Sequence, residues 1–279
     1  MKPVIVMQTD FGIGGGGAMR GVCKKVDPEL EIYDLNHTIE KFNVRRASVT
    51  LYNVVPYWPA GTVFVSVIDP GVGTSRRASV AKLKNGSYVV SPDNGSLTLL
   101  LEEPGIEAIR VIDETKNRLK GTEKVSIFHG RDLFAYCAAK LAAGVIDFEG
   151  VGAAYPVGEI VRFPVLKNTV APGKVDGYAA DEMKPFGNLE SSIRIADFEQ
   201  AGIPVNTDVH VRICGEGKTV YDRTIPYKPS FGWVPKGGEV MYNSSDGYIG
   251  IGVNCGNFVS RNGIGFGEKW TMTVEGGAK

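Results

Sequence analysis

No sign of charge dominates this chain: 31 lysines and arginines meet 31 aspartates and glutamates, leaving a formal net charge of zero at pH 7. Without a basic field there is nothing to hold a nucleic acid or an anionic membrane surface, so neither is expected as a partner. Long apolar runs are also missing, and none approaches the roughly 18 residues of a membrane helix. The opening Met1-Lys-Pro-Val-Ile-Val reads as a strand and lacks the charged, apolar and small-residue parts of a signal peptide, so the expected location is cytoplasmic. Histidine is scarce (His37, His129, His210), and the cysteines Cys23, Cys137, Cys214 and Cys255 lie far apart with no CxxC. That distribution argues against a disulfide framework and against a zinc site; reduced thiols used for packing, and no metal, are expected.

What is present is a chain of 279 residues, 43% hydrophobic and 22% charged, enough for a large core in one or two domains. Strand-like and helix-like runs alternate in the first half: Pro3 to Gln8, Ala18 to Val26, Glu31 to Leu35, Val44 to Val55, Thr62 to Ile68. That rhythm implies βαβ units and parallel strands. Ala78 to Lys84 and Ser87 to Ser91 flank Asn85-Gly86, a primed-turn hairpin signal, and Glu107 to Ile112 reads as another strand, so the sheet is expected to be mixed. Gly130 to Ala143 has Leu133, Phe134, Cys137 and Leu141 near a 3.6-residue period and is expected to be an amphipathic helix ending at Gly144. Beyond Phe163 the pattern turns to short alternating runs, Leu189 to Ile195, Asp208 to Ile213 and Tyr248 to Val253, broken by Gly, Asn and Pro. The fold class expected is α/β: an N-terminal mixed-sheet α/β domain over 1–163, a linker of about 164–172, and a separate all-β domain over 173–279.

Gly12-Ile-Gly14-Gly-Gly-Gly17 satisfies GxGxxG after a strand, with Asp34 17 residues beyond Gly17. This is a dinucleotide-binding pattern, but a four-glycine run satisfies many glycine patterns by chance, and a mobile loop is the simpler reading. More specific are two strand ends that carry an aspartate, Thr9-Asp10-Phe11-Gly12 and Ile68-Asp69-Pro70-Gly71-Val72-Gly73. Ligands bind at the carboxyl ends of strands in open α/β sheets, so two such ends suggest one cleft, although Asp also serves simply as a cap or turn residue.

Together with GAMRGV at Gly17 to Val22, SPDNGSL from Ser91, FHGRD from Phe128, FGN at Phe186 to Asn188, and SDGY and VN near the end, these segments resemble the S-adenosylmethionine hydroxide adenosyltransferases. That group also contains fluorinases and chlorinases. The resemblance spans essentially the whole chain. It implies an N-terminal mixed α/β domain, a C-terminal β-barrel, and a homotrimer with active sites between subunits. It also implies S-adenosylmethionine as substrate, no cofactor, and hydrolysis to adenosine and methionine by an activated water, with the R-sulfonium epimer as one candidate substrate. Water-using members carry an Asp, an Arg seven residues later and a His, matched here by Asp69, Arg76 and His129; Arg77 lies beside Arg76, but the spacing favours Arg76. Asp10 matches the residue that binds the ribose hydroxyls, Asn188 one that holds the amino-acid part, and Phe231, Ser245 and Val253 the adenine contacts. Phe128 and Gly130 are expected to line the nucleophile's side, Gly130 where fluorinases have serine. Which of Asp69 and His129 is the base stays open, and His129 could equally cap the Gly130 helix.

Two positions depart from the family pattern. The loop after TDFG is replaced by Gly14 to Gly17, and the Asp that halogenating relatives carry five residues before Asn188 is Met183, with Glu190 as a candidate replacement. The alternatives are a halide-using adenosyltransferase and a non-catalytic adenosine or S-adenosylmethionine binding protein.

Overall fold

Residues 2–276 are described by a computed structural model, and the chain divides into two compact units, Met1–Pro164 and Val165–Lys279. In the first, β1 (Ile5–Thr9), α1 (Gly17–Val26), β2 (Ile32–Asn36), α2 (Val44–Val54) and β3 (Val63–Val67) follow the alternation of the sequence. β1 lies parallel to both β2 and β3. The next strands, β4 (Ala78–Leu83) and β5 (Tyr88–Pro92), pair antiparallel across Asn85-Gly86. The turn is not the primed one expected: Gly86 N–H donates to the Leu83 carbonyl at 3.0 Å and Leu83 N–H to the Ser87 carbonyl at 2.8 Å. They close a three-residue loop in which Gly86 (φ +85°), and not Asn85, takes the left-handed backbone that glycine adopts without a Cβ clash. With β6 (Ile106–Val111) and β7 (Ala154–Tyr155) the sheet runs β2-β1-β3-β5-β4-β6-β7, parallel on one side and antiparallel on the other.

Every residue of β1 and β3 is buried, which is why IVMQT and VFVSV are almost wholly apolar: both sheet faces are covered. Met7, Val65 and Val90 pack in one layer with Met19 and Leu133, while Val6, Phe64 and Val89 pack in another with Leu51 and Val55. Truncating a side chain such as Phe64, 1% exposed, should cost about 3–5 kcal/mol. Of the polar exceptions, Gln8 and Ser66 bond to each other at 2.8 Å, and Thr9 Oγ1 lies 2.8 Å from His37 Nδ1. The helix expected after Phe128 begins as a wider π-helical turn, Gly130–Ala135, continues as α3 (Tyr136–Ala142), and ends at Gly144 with φ +69°. Burial pushes the Cys23 and Cys137 thiols up to about 12, so both are inert packing groups.

The second unit holds β8 (Thr169–Ala171), β9 (Lys174–Met183), β10 (Asn188–Arg194), α4 (Ile195–Ala201), β11 (Thr207–Gly215), β12 (Lys218–Tyr227), β13 (Glu239–Asn243), β14 (Tyr248–Val253), α5 (Phe258–Asn262) and β15 (Trp270–Gly276). Seven strands close in the order β10-β14-β13-β12-β11-β15-β9 and back to β10, with β8 added on β9. Closure removes free sheet edges, and alternate residues such as Val209, Val211 and Ile213 of β11 fill the interior. Among the described residues no helix is long and apolar enough to cross a membrane.

Candidate active site

In the first unit the segment after β3 is a pair of tight turns: Val72 N–H donates to the Asp69 carbonyl (3.3 Å), and Thr74 N–H and Oγ1 both donate to the Gly71 carbonyl (3.2 and 2.7 Å). The second turn carries Arg76 back over Asp69, so the seven-residue spacing closes on itself. Arg76 Nε donates to both Asp69 oxygens at 3.0 Å and Nη2 to Oδ2 at 2.5 Å. Arg76 Nη2 also lies 3.0 Å from His129 Nδ1, and the guanidinium stands 5.1 Å over the Phe134 ring. Arg77 turns elsewhere, to Asp93 and Glu159. The Asp69 and Arg76 side chains are 5% and 10% exposed, so this is a buried pair in which losing one partner strands the other's charge.

His129 makes no capping bond at the start of the π-helical turn; its ring belongs to the trio. Burial, and then the Arg76 guanidinium, holds its imidazole below the ordinary histidine value. Because a guanidinium only donates, Nδ1 is the acceptor and the ring proton sits on Nε2. A cavity of about 310 Å³ is lined by Asp69, His129, Gly130, Asp10, Phe11, Phe42 and their neighbours. Asp10 Oδ2 accepts the Phe42 N–H at 3.0 Å. Phe128 packs edge-on to Phe11 at 5.8 Å, with the Arg131 guanidinium 4.8 Å from its ring. A Cβ on Gly130 would stand 3.0 Å from the Phe11 ring, so a side chain at this position requires that ring to shift by a few tenths of an ångström.

SPDNGS supports this site from behind: Asn94 Nδ2 donates to the Ile68 carbonyl at 2.9 Å, fixing the residue before Asp69. The glycine run is a packed turn. A Cβ on Gly15 would stand 2.3 Å from Phe11 Cβ, and one on Gly16 would stand 2.4 Å from His37 Nε2. Asp34 pairs with Arg20 and lies 3.0 Å from His37 Nε2, which leaves the dinucleotide reading without its ribose-binding acid.

In the second unit Asn188, Phe231, Ser245 and Val253 all line one cavity of about 920 Å³, together with Met183, Tyr242, Asn254 and Cys255. The Phe231 and Tyr242 rings are 4.5 Å apart. Burial pushes the Tyr242 phenol up to about 12, so it stays a neutral donor. Two glycines on β14 make this pocket possible. A Cβ on Gly252 would lie 2.7 Å from both Phe231 Cε1 and Asn188 Oδ1, and one on Gly250 would lie 2.7 Å from Tyr242. Glu190 is 6% exposed and stands opposite Asp181 in strand register. Cys255, expected to pack, is instead exposed at φ +55° in the cavity wall.

The sequence reasoning missed Phe11, Tyr242, Gly250 and Gly252. Glycines at alternate positions of YIGIGV were a usable signal, since on a strand they share one face and mark a close approach. Among the described residues there is no group of three or more His, Cys, Asp or Glu that could hold a metal.

Models of the S-adenosylmethionine hydroxide adenosyltransferase N-terminal and C-terminal domains match residues 5–152 and 184–271. The (R)-S-adenosyl-L-methionine hydrolase of Thermus thermophilus is 33% identical over 277 residues, covering 96% of this chain and 97% of that protein. A fluorinase of an Actinoplanes species is 30% identical over 281 residues, covering 91% and 92%. The crystal structure of an uncharacterized conserved protein from Thermotoga maritima superposes with a TM-score of 0.88 at 34% identity, covering 97% of this chain and 99% of that one.

Proposed function

The chain belongs to the S-adenosylmethionine hydroxide adenosyltransferase family, and we propose that it hydrolyses S-adenosylmethionine, the R-sulfonium epimer named for its relatives included, to adenosine and methionine. The observation that carries this reading is the closed trio of Asp69, Arg76 and His129.

The sulfonium is already a good leaving group, so the barrier lies in positioning and activating water. Water oxygen attacks the 5′ carbon, the carbon–sulfur bond breaks with its electron pair going to the methionine sulfur, and one water proton must leave. His129 Nδ1 is engaged by Arg76 and its Nε2 carries a proton, so the ring orients the water oxygen as a donor and the Asp69 carboxylate receives the proton. Arg76 holds both partners in place, and the Asp69 carboxylate offsets the positive charge that develops on the water oxygen as it attacks. An anionic halide in the same place would meet the Asp69 carboxylate directly, which disfavours halide transfer.

Asp10 takes the ribose hydroxyls, since a carboxylate accepts two hydrogen bonds, and Gly130 bounds the nucleophile's compartment, with Phe128 packed against the Phe11 ring that lines it. Phe231 stacks on the adenine, Ser245 and Val253 contact its edge, and Asn188 holds the amino-acid part. The two sets of residues come from neighbouring subunits of a homotrimer; exposed apolar residues near each cavity, Ile127 at 82% and Phe42 at 67% in the first unit and Phe186 at 68% in the second, suit burial in such an assembly. No cofactor enters the reaction.

The test is incubation of the purified protein with both sulfonium epimers, with and without chloride and fluoride. Adenosine and methionine in every condition are expected. A 5′-halogenated adenosine would transfer the reading to halide transfer, and bound adenosine without turnover would leave a binding protein.

A further inference from the structure

Beneath the Asp10–Phe11 turn lies a chain of polar contacts that the hydrolytic trio does not use. Thr9, wholly buried at the end of β1, places its Oγ1 2.8 Å from His37 Nδ1 and accepts the Phe11 N–H at 3.2 Å. The His37 carbonyl accepts the Gly12 N–H at 2.7 Å. On its far side, His37 Nε2 faces Asp34 Oδ1 at 3.0 Å, and Asp34 is paired in turn with Arg20 of α1. Gly16 packs directly on the imidazole, where a Cβ would stand 2.4 Å from Nε2.

The proton order follows from Thr9. Its Oγ1 already accepts the Phe11 N–H, so its own proton goes to His37 Nδ1, which makes Nδ1 the acceptor and leaves the ring proton on Nε2. The hydroxyl is thus satisfied as donor and acceptor at once, which fixes its rotamer and the backbone it holds. One ring ties together the end of β1, the end of β2 and the glycine turn that leads into α1. Asp10 and Phe11, both lining the first unit's cavity, are held on either side: Asp10 lies between Thr9 and the Phe11 N–H that Thr9 holds, and Phe11 between that group and the Gly12 N–H held by the His37 carbonyl.

We infer that His37, through Thr9, is the positioning residue that sets the Asp10–Phe11 turn for nucleoside binding. This rests on the proposed role of Asp10 at the ribose. It also gives the glycine run a purpose, since any side chain at Gly16 displaces the ring.

The test compares Thr9→Val, Thr9→Ser and His37→Gln by kcat, KM, the Kd for adenosine from calorimetry, and melting temperature. Removing a buried, doubly used hydrogen bond should raise KM and the adenosine Kd about tenfold in Thr9→Val and His37→Gln. With Asp69 and His129 untouched, kcat should stay within about twofold of the parent. Thr9→Ser, which keeps the hydroxyl, should restore both binding constants. Unchanged KM and Kd in folded Thr9→Val and His37→Gln would overturn the inference. So would a loss of kcat that tracks melting temperature and is shared by Thr9→Ser. A parent protein that binds adenosine without turnover removes the hydrolase reading alone, because the adenosine Kd series still decides the role of His37.

Discussion

The cavity of the first unit is small and wired with charge, whereas that of the second is about three times larger, at about 920 against 310 Å³, and is walled by aromatic rings, amides and small residues. In the first, Asp69, Arg76 and His129 hold one another at 2.5–3.0 Å, each fixed by a partner that is itself fixed. In the second, Phe231 and Tyr242 offer flat faces and Asn188 an amide. One arrangement suits proton transfer, which fails when geometry shifts by an ångström; the other suits recognition, which tolerates adjustment. Variants of the trio and of the second unit's cavity should therefore fail differently, in kcat for the first and in KM for the second.

The largest effect is expected at Asp69. Asp69→Asn keeps the volume but removes the proton acceptor, and kcat should fall by about 10³-fold with the adenosine Kd little changed. Because Arg76 is left without its counter-charge, the melting temperature must be measured alongside. A folded variant with parental kcat would put the chemistry elsewhere.

Next is a mixing experiment that asks whether the units of different subunits work together. Asp69→Asn and the double variant Asn188→Ala/Phe231→Ala, co-expressed with different tags and assayed at substrate far below KM, should each be nearly inactive alone. In a trimer with sites between subunits, random mixing gives about one quarter of sites two intact halves, and activity should return to about that fraction of the parent's. Activity that stays at the level of the separate variants would mean that each site is built within one subunit.

Smaller, and confined to binding, is the effect of Phe231→Ala by itself. Loss of one stacking face should raise KM about tenfold or more while kcat changes little. A fall in kcat with constant KM would break the division of labour between the cavities.

The same contrast governs what could be read from the sequence. Secondary structure in the first unit was legible because β1 and β3 are buried on both faces and therefore mostly apolar, and because Asn85-Gly86 marks a turn between two strand-like runs. The trio was legible only through family spacing; the physical reason for that spacing, two stacked turns returning Arg76 to Asp69, is a property of the folded loop. The π-helical start at Gly130 was not legible, since its composition is that of an ordinary helix. Nor was the structural use of Gly15 and Gly16, because what excludes a side chain there is Phe11 and His37, and His37 lies some 20 residues away in sequence. In the barrel the alternation showed strands but not closure, which depends on β9 and β10 pairing at the seam.

The smallest expected effect is on pH dependence, and it divides the two cavities most cleanly. Burial and Arg76 lower the His129 pKa from its ordinary value of 6.5. The neutral ring is the working form, because protonation would set a second cation against Arg76 and abolish the acceptor at Nδ1. Activity should therefore be flat above about 6.5 and decline only as pH falls through the lowered value. Stability has the same sign: the folded protein resists protonation more than the unfolded chain does, so the His129 contribution is complete above 6.5 and is lost as pH falls through the folded pKa. The second unit's cavity contains no histidine among its lining residues, and its Tyr242 stays neutral throughout. A kcat profile should thus fall on the acid side while the effect of Phe231→Ala on KM stays constant across it. If that KM ratio moved with the same pKa, the two cavities would be coupled through a shared titration, and the separation of chemistry from recognition would have to be given up.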